Sequence, residues 1–289
     1  MNPTPSQRTT SLRIAYRCLK IGLIFYGLLL IALVVFEARL VYPGAFMDAN
    51  LARGVPHDSP VQLVRYPSAK DEPLHGHLLE RPGARGALLY LHGNGTRSAW
   101  LDHRIRRFAE RFDLHVLAAE FRGFDESGRT PTEQSIIADA LAARDYLSQR
   151  YGINPAEIVL YGRSLGGGVA AALAGDGRAK ALILERTFDS LVDVAAGHYP
   201  YFPVRYLMSN RFDSVARLKG FKGSVIQIHG TVDQVIPIRH GRGLFDSLTT
   251  PSKRWIQVEG LGHNDWLPDP ALDRIVAALG QTLGKPPVR

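Results

Sequence analysis

The sequence predicts an α/β fold: one mostly parallel sheet with helices on both faces, preceded by a single N-terminal transmembrane helix. Three observations carry this. Short apolar runs recur at 87–91 (ALLYL), 115–120 (HVLAAE), 157–161 (EIVLY), 181–184 (ALIL), 224–229 (SVIQIH) and 254–258 (RWIQV), as expected of parallel strands buried on both faces. Helical segments separate them, the clearest at 130–149, where Thr130 is expected to cap, Pro131 to take the first helical position and Glu133 to complete a capping box. Near the N-terminus stands IGLIFYGLLLIALVVF, 21–36, sixteen residues without a charge.

That run comes first in the chain. At 1.5 Å per residue it is about 24 Å long, slightly short of a hydrocarbon core, with Lys20 able to snorkel and the 38–42 flank able to extend it. It reads as an anchor over 21–40 following a short tail over 1–20. A cleaved signal peptide is the competing reading, but FEARLVYPGAF offers no small-residue cleavage site. Arg8, Arg13, Arg17 and Lys20 precede the run, whereas Arg39 and Arg53 follow it. The positive-inside rule then leaves the N-terminus cytoplasmic and the large domain outside. Residues 41–60 read as a linker, 61–283 as the domain and 284–289 as a loose tail. The domain opens on an antiparallel pair, 61–65 and 74–79, joined by a turn-rich segment.

Composition excludes more than it assigns. The formal net charge is +8, but five basic residues and one acid fall in the first forty positions, leaving 30 basic and 26 acidic residues for the rest. No basic run interleaved with aromatics remains, so no nucleic-acid partner is expected. Cys18 is the single cysteine, which excludes an intramolecular disulfide and a cysteine-based metal site. His75 and His77 are spaced to share a strand face, yet no third ligand is evident, and an exposed hairpin face is the expected place for them. Gly93-Asn94-Gly95 begins like a dinucleotide fingerprint, but Ser98 stands where its third glycine belongs. No cofactor and no metal are expected.

The chemistry lies in IVLYGRSLGGG, 158–168. Crowding four glycines around Ser164, directly after an apolar run and before a small-residue helix, is the G-x-S-x-G elbow, a strained turn that lifts a serine hydroxyl above a sheet. A hydroxyl needs a base to become a nucleophile, and the base needs an orienting carboxylate. Both should stand after later strands, because ligands meet the C-terminal strand ends of such a sheet. Asp233 follows 224–229, and His263 follows 254–258. Asp189, after 181–184, is the alternative acid. The expected oxyanion donors are the backbone N–H of Leu165, next after the nucleophile, and that of Asn94 in the turn after ALLYL.

The segments LHGNG, EFRGFDESG, YGRSLGGG, HGTVDQVIP and GLGHNDW together resemble the α/β-hydrolase superfamily over about residues 61 to 283. With the N-terminal anchor, the chain is similar to the membrane-tethered α/β-hydrolase-domain serine hydrolases, the serine aminopeptidase-like and lipase-like branch. The resemblance implies the α/β-hydrolase fold, a catalytic triad of Ser164, Asp233 and His263, and small-molecule or lipid substrates: acyl esters, lysophospholipids or acylglycerols, or protein thioesters. A serine peptidase of the same fold and an inactive membrane-tethered binding module are the alternatives. Neither the acyl group nor the oligomeric state is readable. The segment 188–221, with HYPYFPVRYLM, lies where lids are inserted; it is expected either to line an acyl pocket or meet lipid, or simply to pack on the sheet.

Overall fold

A computed structural model describes residues 5–47, 55–68, 73–125 and 128–283. The expected tail over 284–289, and Arg53 with its charge, lie outside the described residues. Helix α1, Pro5–Val35, contains the apolar run up to Val35 and begins well before it. Leu12–Val35 is a helical stretch of 24 residues at mean hydropathy 2.5, long and apolar enough to cross a membrane. That is about 36 Å of helix, longer than the sixteen-residue run implied. Leu12, Ile14, Ala15 and Leu19 extend the apolar surface between the basic residues.

Helix α2, Glu37–Val41, and a 3₁₀ turn, Pro43–Phe46, follow directly. The expected linker therefore begins as packed structure. Tyr42 is fully buried, its ring edge-on to Phe124 and Phe212 and its hydroxyl donating to Asn210 Oδ1 at 2.7 Å. The aromatic at 42 has an apolar slot and a polar partner waiting in the domain, so the chain docks where composition suggested a spacer.

The strands are β1 Gln62–Pro67, β2 Pro73–Leu79, β3 Ala87–Leu91, β4 His115–Ala119, β5 Val159–Arg163, β6 Ala181–Glu185, β7 Ser224–Gly230 and β8 Lys253–Val258. They form one sheet in the order β1-β2-β4-β3-β5-β6-β7-β8. β1 and β2 are antiparallel to their neighbours, and every pairing from β4 to β8 is parallel. Alternate residues face two cores, which is why the strands read as continuous apolar runs. Leu89 and Leu91 of β3 join one core, with α4 Glu133–Tyr151, α5 Leu165–Ala174 and α9 Ile238–Ser247. Leu88 and Tyr90 join the other, with α3 Asp102–Phe112 and α10 Asp269–Leu283.

Two local expectations are corrected. The N-cap of α4 is Thr132, not Thr130, and its capping box closes on Ser135 rather than Glu133. The Glu133 carboxylate is taken by the N–H groups of Arg211 and Phe212, at 2.7 and 3.0 Å, so tertiary partners outcompete the local box. His77 is buried rather than exposed, its Nδ1 2.9 Å from Ser98 Oγ, because β2 is an interior strand between β1 and β4. Between β6 and β7 the insert folds as α6 Leu191–His198, α7 Val204–Leu207 and α8 Ser214–Arg217.

Candidate active site

β5 ends at Arg163, and α5 begins at Leu165, so Ser164 alone makes the turn. Its φ of 54° and ψ of −121° lie in a region that a side chain enters only under strain, which costs about 1–3 kcal/mol. Neighbours over-determine that geometry. The Ser164 N–H donates to Glu185 O at 2.9 Å, and Ser164 O accepts from the Gly167 N–H at 2.9 Å and the Thr187 hydroxyl at 2.8 Å. The glycines answer to space: a Cβ on Gly162 would collide with the backbone of Gly166, one on Gly166 with Leu91 O, and one on Gly167 with Thr187.

The hydroxyl so raised meets the loop after β8. His263 Nε2 lies 2.9 Å from Ser164 Oγ, and His263 Nδ1 lies 2.8 Å from Asp233 Oδ2. Since an ionised carboxylate only accepts, Nδ1 carries the proton and Nε2 accepts from the serine. Asp233, after β7, is itself fixed: its Oδ1 accepts the Val235 and Ile236 N–H groups at 3.0 and 2.8 Å. Burial pushes the Asp233 carboxyl up, but hydrogen bonds from His229 and His263 outweigh it and hold the group well below the usual carboxylate range. The sequence-predicted Ser164, Asp233 and His263 are thus brought together. Asp189 is not among them; its Oδ1 sits 2.9 Å from His240 Nδ1 instead.

Leu165 is the first residue of α5, so its N–H belongs to the amides that have no partner within a helix. The 92–95 turn closes on the elbow, since a Cβ on Gly93 would stand 3.3 Å from Ser164 Cβ. Asn94 and Ser164 line the same cavity, and the Asn94 side-chain amide donates to Val41 O.

Sequence reasoning missed the support beneath the histidine. Glu185, fully buried at the end of β6, receives the Arg186 guanidinium, the Tyr161 hydroxyl at 2.6 Å, and Arg163 and Arg104 at 3.4 and 3.5 Å. Burial raises its pKa, and these three arginines together pull it far below the usual carboxylate range. Two of the arginines then hold the histidine loop: Arg163 donates to His263 O at 2.7 Å, and Arg186 to Gly262 O and Asp265 O at 2.6 and 3.0 Å. Two adjacent charges ending the run ALILER were the available signal.

Above Ser164 and His263 opens a cavity of about 650 Å³ with mainly apolar walls. Leu191 and Val194 of α6 and Val204 and Leu207 of α7 form one side, so the insert does line the pocket. Leu33, Leu40 and Val41 form another.

A family described as serine aminopeptidase, S33, matches residues 82–188. An uncharacterized protein of Mycobacterium tuberculosis is 35% identical over 184 residues, covering 63% of this chain and 64% of the relative. The human alpha/beta hydrolase domain-containing protein 17B is 32% identical over 184 residues, covering 64% of this chain and 62% of the relative. The chain thus matches a little under two thirds of the length of these curated relatives. An esterase of Pyrococcus furiosus matches in structure with a TM-score of 0.65 at 18% identity, over 81% of this chain and 99% of the esterase, a likeness of fold.

Proposed function

For a chain that belongs to the α/β-hydrolase superfamily, we propose the role of a membrane-anchored serine hydrolase that cleaves carboxylic esters or thioesters, with lipid-like acyl groups favoured. One observation carries this reading: the hydrogen-bonded series Ser164–His263–Asp233, at 2.9 and 2.8 Å, sits at the base of an apolar cavity. Ser164 Oγ attacks the carbonyl carbon as His263 Nε2 takes its proton. The donors assigned to the oxyanion so formed are the N–H groups of Leu165, first in α5, and of Asn94, in a turn that lines the same cavity. Collapse expels the alcohol or thiol with the proton from His263 and leaves an acyl-serine. Water then attacks that ester, His263 removes its proton, and the acid leaves with Ser164 restored. Asp233 keeps the imidazole in the required tautomer and stabilises its charged form.

The anchor is part of the reading. A signal segment destined for removal has no reason to wall the site, yet Leu33 of α1 does so. Four basic residues precede the uncharged run, which by the positive-inside rule favours a cytoplasmic N-terminus with the domain on the opposite side. An aminopeptidase needs a free carboxylate for the substrate ammonium. Glu37, the carboxylate that lines this cavity among the described residues, instead accepts three N–H donors from Ser209 and Asn210. Assays of the full-length protein in micelles test the assignment, using nitrophenyl esters, acyl thioesters and aminoacyl amides as substrates. Ester or thioester cleavage is expected; amide cleavage alone would replace the assignment with a peptidase, and no cleavage would leave a binding module.

A further inference from the structure

The cavity has an unusual wall. Besides residues of the domain, the apolar N-terminal helix and its continuation line it, through Leu33, Leu40 and Val41. That wall is clasped in place. Glu37, one turn beyond Leu33, accepts the N–H groups of Ser209 and Asn210, both at 2.8 Å, and the Asn210 side-chain amide at 2.9 Å. Asn210 Oδ1 in turn accepts the Tyr42 hydroxyl and the Glu133 N–H, both at 2.7 Å. A second contact lies deeper along α1. The Tyr26 hydroxyl donates to Tyr201 O at 2.9 Å, and its ring stacks on Phe202 with centroids 6.0 Å apart.

Tyr26 precedes Val35 by nine residues, about 14 Å along the helix. Where α1 lies in hydrocarbon, the segment touching Tyr26 lies there too. The exposure of that segment fits: Tyr201 is 86% and Tyr206 90% exposed, large aromatic surfaces of the kind that favour a membrane interface. Neither lines the cavity, whereas Tyr199, Val204 and Leu207 around them do.

Resting on the reading of a membrane-anchored hydrolase, we propose that α1 is one wall of an acyl-chain site. A long-chain acyl ester or thioester resident in the bilayer leaflet enters sideways, between α1 and the 199–206 segment. The chain lies against Leu33 and Leu40 while its carbonyl reaches Ser164, so it is never drawn through water.

Full-length protein in phosphatidylcholine vesicles tests this in three ways. Leu33→Trp fills the wall, and the ratio of kcat/KM for nitrophenyl tetradecanoate over butyrate should fall at least about tenfold; an unchanged ratio overturns the proposal. Tyr201→Asp with Tyr206→Asp should cut turnover of a vesicle-embedded tetradecanoyl ester by about tenfold while soluble butyrate stays within about twofold. Equal loss on both esters, or no loss on either, overturns it. Third, a nitrobenzoxadiazole label on Tyr206→Cys, in a Cys18→Ser background, should be quenched by nitroxide-bearing lipid; quenching by a soluble nitroxide alone overturns it. Absence of wild-type turnover on both esters is instead the failure of the hydrolase reading, and the label reports immersion without any catalysis.

Discussion

Asp233 and Asp189 both follow a strand that ends beneath the site, and the loops decide between them. Only Asp233 reaches His263, at 2.8 Å, while Asp189 pairs with His240. Asp233→Asn should lower kcat by up to about 10⁴ with folding intact, because an amide presents the wrong pattern to the imidazole. Asp189→Asn should change it far less, and steady-state kinetics on one ester compare the two. Glu185 makes a different prediction. Its folded pKa is depressed, so the stability it contributes is present above the unfolded value, about 4.3, and is lost as pH falls through the lower folded one. Urea unfolding of Glu185→Gln at pH 7 should show a loss of about 3–5 kcal/mol, the cost of leaving buried arginines unpaired. Its acid slope below about pH 4.5 should be flatter than that of the wild type. The meeting of Ser164, His263 and Asp233 was legible because each sits in a short local motif at a strand end. Glu185, Arg163 and Arg186 were not, since their role exists only where three separate segments converge.

At the level of elements, the Glu37–Asn210–Tyr42 contact joins α2 to the insert between β6 and β7. Asn210→Ala would strand the buried Tyr42 hydroxyl and the half-buried Glu133 N–H. A loss of about 2–4 kcal/mol is expected from two or more unsatisfied groups, read as a lowered Tm in micelles. A variant that unfolds like the wild type would mean that water replaces Asn210. The strands were readable from apolar runs alone, because two-sided burial imposes that pattern whatever the neighbours are. The start of α4 was misplaced by two residues because the acid expected in its capping box is claimed by the insert, a partner 78 positions away. The docking of 41–46 escaped for the same reason: proline, glycine and tyrosine spell a spacer unless the slot between Phe124 and Phe212 is known.

For the whole molecule, the apolar helix, the insert and the Ser164–His263–Asp233 series form one device only if α1 stays attached and the domain sits on the far side from the basic tail. In sealed right-side-out vesicles, added protease should digest the domain and leave the segment before Lys20 protected. Protection of the domain would reverse the orientation. The apolar helix was visible in the sequence as an uncharged run, but its part in the cavity was not, because hydropathy reports length and says nothing of which face meets the domain. The proposed activity rests on Ser164 being a nucleophile activated by His263. The most direct test is intact-mass and peptide-level mass spectrometry of the full-length protein after treatment with a fluorophosphonate. One adduct per chain, on the peptide that carries Ser164, is expected for the wild type, with none on Ser164→Ala and much slower labelling of His263→Ala. A folded wild-type protein that takes no adduct, or takes it on another residue, would contradict the account.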